Sequence, residues 1–131
     1  MDELMKFLKE NPVFYMATTD GYLPRVRPMG FCMVYNGHFC LAVGRDKAMY
    51  DQLLNNTNLE ICVANDRGEW VRVQGTVDFD DSPEAKAAAF KVMPQLADLY
   101  NEESGREFTI VYLDHISARL FSMSGAMKVL I

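Results

Sequence analysis

The sequence predicts a mainly β protein, a small antiparallel β-barrel with short peripheral helices. Three observations carry that prediction. Runs rich in β-branched and aromatic residues recur along the chain, turn signals such as Asp20-Gly21 and Asn36-Gly37 separate them, and only four segments carry helix signals. A chain of 131 residues fits one domain spanning 1–131, and no repeat, low-complexity stretch or linker interrupts it.

The elements follow in order. Asp2 can cap a helix over 3–10, with Leu4, Phe7 and Leu8 as its apolar stripe. Asn11-Pro12 ends it, because proline cannot continue the hydrogen-bond ladder. A strand over 13–19 leads into the Asp20-Gly21 turn and a long second strand over 22–35. Pro24 and Pro28 cannot donate ladder hydrogen bonds, so they mark an edge, a bulge or a backbone facing a ligand. A third strand runs from His38 to Val43 and ends at Gly44. Asp46 is expected to cap a helix over 47–55, with Met49, Tyr50, Leu53 and Leu54 on or near its inner face. Strands over 59–64 and 69–79 flank the turn Asp66-Arg67-Gly68. The second of these alternates, with Val71, Val73 and Gly75 on one face and Trp70, Arg72 and Gln74 on the other. Ser82-Pro83 opens a third helix as cap and first-turn proline, and Pro94 starts a short fourth to about Tyr100. Two last strands, 107–113 and 116–123, are joined at Asp114-His115.

Composition narrows the function. Half of the residues are hydrophobic and 24% are charged, as in an ordinary globular protein. No apolar run approaches the roughly 20 residues of a membrane span, and Met1–Glu10 is amphipathic rather than a signal peptide, so no membrane partner and a cytoplasmic location are expected. A formal charge of −5 argues against nucleic acid as a partner. The three cysteines have no C-x-x-C spacing, which argues against a zinc knuckle or a disulfide framework. A two-residue turn at Asn36-Gly37 pairs Tyr35 with His38, Met33 with Cys40 and Cys32 with Leu41. Cys32 and Cys40 then face opposite sides and cannot bridge.

Against this acidic background two basic stretches stand out, Pro24-Arg25-Val26-Arg27-Pro28-Met29 and Val43-Gly44-Arg45-Asp46-Lys47. The turn at Asn36-Gly37 is expected to fold one back on the other, placing four cations in one hairpin and the start of the next helix. Such a patch suggests a bound anion, most simply the phosphate of a small cofactor. Lys47, in the first helical turn after Gly44, would add a full charge to the helix N–H groups, and Arg45 a second. Arg25 and Arg27 share one strand face. Arg72 beside Trp70 could stack under a flat ring, while Trp70 serves equally well as a core anchor. His38 and His115 sit at predicted turns without metal-like partners, and no acid, base or nucleophile set suggests a hydrolase. An enzyme of this sequence would take its chemistry from a cofactor.

The ordered set Asn11–Thr18, Pro24–Pro28, Lys47–Leu53, Asn58–Cys62 and Trp70–Gly75 resembles the pyridoxamine 5'-phosphate oxidase-like family, whose members share the FMN-binding split β-barrel of antiparallel Greek-key type. The resemblance implies FMN as cofactor. It implies a cofactor-binding set of Arg25, Arg27, Pro28, Met29, Ala42, Val43, Gly44, Lys47, Tyr50, Trp70 and Arg72. In that reading Arg27, Pro28 and Met29 run along the flavin ring and ribityl chain, Leu41–Gly44 touches the flavin, Lys47 grips the phosphate, and Trp70 looks towards the flavin, often from the other subunit. A homodimer with flavin sites at its interface is implied as well, burying apolar strand faces and Val129-Leu130-Ile131.

Oxidases proper of the family are longer and carry a C-terminal arginine- and histidine-containing segment, which the sequence lacks after Phe121–Lys128. The expectation is therefore an FMN-dependent oxidoreductase acting on an unidentified small molecule, a flavin reductase or electron carrier, rather than vitamin B6 oxidation. Two readings stand beside it: a non-catalytic binder or carrier of flavin, haem or another flat cofactor, and a plain dimerisation barrel without ligand.

Overall fold

The computed structural model describes all residues, 1–131. It is mainly antiparallel β, with four short helices: α1 (Asp2–Glu10), β1 (Phe14–Asp20), β2 (Leu23–Met29), β3 (Met33–Tyr35), β4 (His38–Gly44), α2 (Ala48–Asn55), β5 (Asn58–Ala64), β6 (Glu69–Asp80), α3 (Pro83–Val92), α4 (Leu96–Leu99), β7 (Phe108–Ser122) and β8 (Met127–Val129). Hydrogen-bonded strands follow the order β2-β1-β5-β6-β7-β4-β3, with β8 on β7. No helix is long and apolar enough to cross a membrane.

The chain forms two compact units. The first comprises Met1–Gly30, Asn58–Thr76 and His115–Ile131, and the second Phe31–Thr57 and Val77–Asp114. In the first unit, β2-β1-β5-β6 form consecutive antiparallel ladders. Register aligns Val73 with Ile61, Ile61 with Met16 and Met16 with Arg27. Val73, Ile61 and Met16 are fully buried, so this row is core on three strands and becomes cationic only on β2 at the edge. Burying each such side chain contributes about 1.5–3 kcal/mol. Helix α1 adds Leu4 and Leu8 to the buried set.

In the second unit, β3-β4-β7 carry a core of Phe31, Met33, Cys40, Phe108 and Ile110, joined by Ala85 and Ala89 of α3 and Leu96 of α4. Small residues on α3 let the helix approach the sheet closely. Its start is as expected: the Ser82 side chain accepts from Ala85 N, with Pro83 as first helical residue.

Asn36 (φ 51°) and Gly37 (φ 75°) make the tight turn, and the pairs Tyr35–His38 and Met33–Cys40 form as the spacing requires. The pairing stops there, since Cys32 precedes β3. All three cysteines are free; Cys40 is buried, Cys32 and Cys62 half-buried.

Several expectations are corrected. The second strand is two strands: β2 ends at Met29, and Gly30–Cys32 separates it from β3. β2 pairs with β1, not β4, so the basic stretches do not share a hairpin. Both prolines are tolerated because β2 has a neighbour on one side only. The first turn is shifted by one: Asp20 pairs with Leu23, leaving Gly21 (φ 61°) and Tyr22 as its central residues. Asp2 is the first residue of α1 rather than its cap. Asp114-His115 is no turn: β7 runs unbroken through it, and His115 takes up the bend at φ 53° as a bulge would. β8, which the sequence reading omits, pairs Arg119–Phe121 with Met127–Val129. Leu54 is about half exposed, and Gln52 takes the inner position beside Met49 and Leu53.

Candidate functional site

The expected site residues divide between the units, and each set is built by its own elements. In the first unit Arg25 and Arg27 face one side of β2, opposite Thr18 and Met16. Arg27 is the better anchored. Its Nη1 donates to Thr18 Oγ1 at 2.8 Å and to Met16 O at 3.1 Å. Partial burial lowers its pKa, though a guanidinium stays charged. Arg25 is exposed and only 3.5 Å from the equally exposed Asp20. Pro28, on the other face, is exposed, and Met29 is half-buried opposite Phe14.

Alternation on β6 turns Val71 and Val73 into the core and Trp70 and Arg72 outward, as expected. Both outward residues meet Phe121 of β7. The Trp70 ring stacks on it, with centroids 5.7 Å apart at 16°, and the Arg72 guanidinium lies over it at 5.3 Å. Trp70 is thus half-buried, neither a full core anchor nor a free ring. Phe121 was missing from the expected site, and its alternation with Ala118 and Leu120 was the available signal. Register carries this face across the sheet: Arg72 is opposite Cys62, Cys62 opposite Tyr15, and Tyr15 opposite Pro28. Arg72 and Pro28 therefore lie on one face of the first unit, in one cross-strand row.

In the second unit the other basic stretch leaves β4. Val43 is fully buried and paired with Thr109, so its side chain belongs to the core. Ala42 is half-buried opposite Ile110. The space above Gly44 is filled by the chain itself: a Cβ there would lie 2.8 Å from Tyr100 Oη and 3.0 Å from Asp46 Oδ1. Close packing by itself requires this glycine. Arg45 pairs with Asp81, which also pairs with Lys86 at 2.8 Å, and the Arg45 guanidinium lies 5.9 Å from the Tyr50 ring centroid. Tyr50 also meets Phe79 edge-on at 5.8 Å.

Asp46 does not cap α2. Its carboxylate takes Arg106 Nε at 3.2 Å, and Lys47 is the N-cap residue, in extended conformation. Lys47 itself carries no ion pair. Of the cations in the second stretch it alone remains available at a helix N-terminus. His38 Nε2 lies 3.9 Å from Asp114 Oδ1, and His115 Nδ1 lies 3.3 Å from Thr76 Oγ1.

Element order and antiparallel ladders define the class: a small split-barrel protein. The pyridoxamine 5'-phosphate oxidase family matches residues 1–114, and the chain belongs to that family. Among solved structures, a NimC/NimA family protein from Clostridium acetobutylicum is similar at 33% identity and a TM-score of 0.89, over 98% of this chain and 90% of that one. A pyridoxamine 5'-phosphate oxidase-related, FMN binding protein from Nostoc punctiforme shares the fold at 17% identity and a TM-score of 0.64, over 99% and 96%. So does a FAD-binding protein from Mesorhizobium loti, at 17% identity and 0.62, over 92% and 94%. No curated protein matches the chain in sequence.

Proposed function

We propose that the chain binds FMN and that the bound flavin serves redox chemistry on a small molecule. The observation that carries this is Lys47: an unpaired cation at the N-cap of an eight-residue helix, beside cations already neutralised by carboxylates. First-turn N–H groups and the helix dipole favour a phosphate there, and Lys47 adds the full charge. In the second unit the donor chemistry suits a phosphate, and in the first unit it suits a flat ring. Lys47 would hold the phosphate. Arg27, oriented by Thr18, and the free backbone edge of β2 at Pro28 and Met29 offer polar groups to a ring edge. Trp70 and Arg72 lie on the opposite face of the first unit from Arg27, so in a homodimer they would offer a flat face and a charge to the flavin of the other subunit. When bound, FMN supplies a carrier that takes up and gives back hydride or single electrons.

We also propose a homodimer. Val13 (57%), Tyr15 (53%) and Val26 (69%) are exposed apolar residues on β1, β2 and the lead-in to β1, and a partner would cover them. Three free thiols suit a reducing cytoplasm.

The test is to release the small molecule from purified protein and identify it by mass and absorbance. FMN is expected, with Lys47→Ala weakening its binding about 10–100-fold, as for loss of one charge-assisted phosphate contact. A protein that takes up no flavin, and in which Lys47→Ala changes nothing, would refute the reading. Turnover of reduced nicotinamide by the FMN-loaded protein separates an enzyme from a flavin or haem carrier. Light scattering should give twice the 14.9 kDa chain mass.

A further inference from the structure

A second cationic site lies on the outward face of the first unit. Arg72 and Gln74 of β6 and Ser117, Arg119 and Phe121 of β7 line one small cavity of about 70 Å³. Strand alternation puts them there. On β6 the intervening Val73 is fully buried, and on β7 the intervening Ala118 is fully buried, so both polar sets project to the other side. The β7 segment is fixed from its far edge. Arg119 pairs with Val129 of β8, and Ala118 exchanges backbone hydrogen bonds with Leu130 and Ile131 at 2.8–3.2 Å.

No carboxylate lines this cavity, and neither guanidinium is in an ion pair. That is unusual for a chain of net charge −5, in which Arg25, Arg45, Arg67 and Arg106 each lie within 4 Å of an acidic side chain. Two unneutralised guanidinium groups repel each other and favour an anion between them. Gln74 Nε2 is held by Glu60 Oε1 at 3.2 Å, which leaves its second N–H free to donate, and the Ser117 hydroxyl can do the same. The volume corresponds to roughly two waters, enough for one carboxylate or phosphate group but not for a whole cofactor. Phe121, already stacked with Trp70, forms an apolar wall.

We infer that Arg72, Arg119, Gln74 and Ser117 bind the oxyanion group of a small carboxylate or phosphate ligand, the rest of which lies outside the cavity against the Phe121 and Trp70 rings. The inference rests on the flavin reading to the extent that it shares Arg72 and the Trp70 ring with it, but the contacts of Arg119, Gln74 and Ser117 are additional and need no part of Lys47.

Trp70 is the sole tryptophan and stacks on the cavity wall, so its fluorescence reports occupancy. The full chain would be titrated at low ionic strength with sodium benzoate and with inorganic phosphate, by calorimetry and by fluorescence. Saturable binding of at least one probe is expected, and which probe binds tells carboxylate from phosphate. Arg72→Gln and Arg119→Gln should each weaken it about tenfold or more. Arg119→Lys should fall between, keeping charge but losing the fork. Lys91→Gln, an equal charge change on α3, should not alter it. Absence of saturable binding by either probe in protein with an unchanged melting curve would overturn the inference. So would phosphate binding that is lost in Lys47→Ala but kept in Arg119→Gln. Failure of the flavin reading shows separately, as absence of flavin from the released material.

Discussion

Arg27 Nη1 lies 2.8 Å from Thr18 Oγ1, across the ladder between β2 and β1. The bond ties the only half-buried arginine of the edge strand to a threonine that is 3% exposed, at the end of a row that is otherwise hydrophobic core. Such an arginine is held in one orientation before any ligand arrives. Arg27→Met should cost about 1–2 kcal/mol, discounted from a fully buried charged hydrogen bond because the group is partly solvated. Thermal unfolding would register this as a fall of several degrees. The same variant should also bind flavin more weakly, whereas Arg25→Met should leave the melting temperature unchanged.

Gly44→Ala should destabilise the second unit. The new Cβ meets the Tyr100 hydroxyl at 2.8 Å and Lys47 Cγ at 3.3 Å, and the Tyr100 ring is already packed on Phe108 with centroids 4.9 Å apart. Overpacking of this kind costs about 1–3 kcal/mol. Denaturant unfolding should show a lower midpoint at unchanged slope. Tyr100→Phe in the same background should recover part of the loss by removing the nearest atom.

Asp81 carries a pH dependence. A hydrogen bond from Lys86, joined by one from Arg45, holds its carboxylate below the ordinary value of 3.8. A depressed carboxylate stabilises the fold above its unfolded value, and that stabilisation is lost as pH falls through the lower folded one. The side chain is about half exposed, so screening limits the effect to under about 1 kcal/mol. Asp81→Asn should lower the melting temperature slightly at pH 7 and flatten its decline below pH 4. An unchanged acid limb would contradict this.

The thiols should be slow. Burial pushes Cys32 and Cys40 up to about 11, and burial also raises Cys62, with Arg72 opposing. At pH 8 the thiolate fraction of Cys32 and Cys40 is about a hundredfold below that of an ordinary cysteine. Alkylation followed by mass spectrometry should find them nearly unmodified in the native protein and fully modified in denaturant. Their rates should climb towards pH 11. Arg72→Gln should slow Cys62 further, since the cation next to it on β6 favours its thiolate.

Local signals made most of the elements legible. Asn36-Gly37 demanded a two-residue turn and so dictated the Met33–Cys40 register, and Ser82-Pro83 announced α3 by capping chemistry. Alternation along β6 alone separated Val71 and Val73 from Trp70 and Arg72. These signals depend on periods and backbone preferences that span only a few residues. The same reach explains the misreadings. The turn at Asp20-Gly21 already set β1 beside β2, but nothing local showed that the strand breaks at residues 30–32, and only the assembled ladders separated β2 from the Asn36-Gly37 hairpin. Asp46 reads as a helix cap until Arg106, sixty residues on, claims its carboxylate. The sequence by itself determined a mainly β chain, the tight turn at Asn36-Gly37 and the family it belongs to. Tertiary structure alone decided which cations are neutralised, because ion pairing joins residues distant in the chain. It left Lys47 free in one unit, and Arg72 and Arg119 unpaired on a common face in the other.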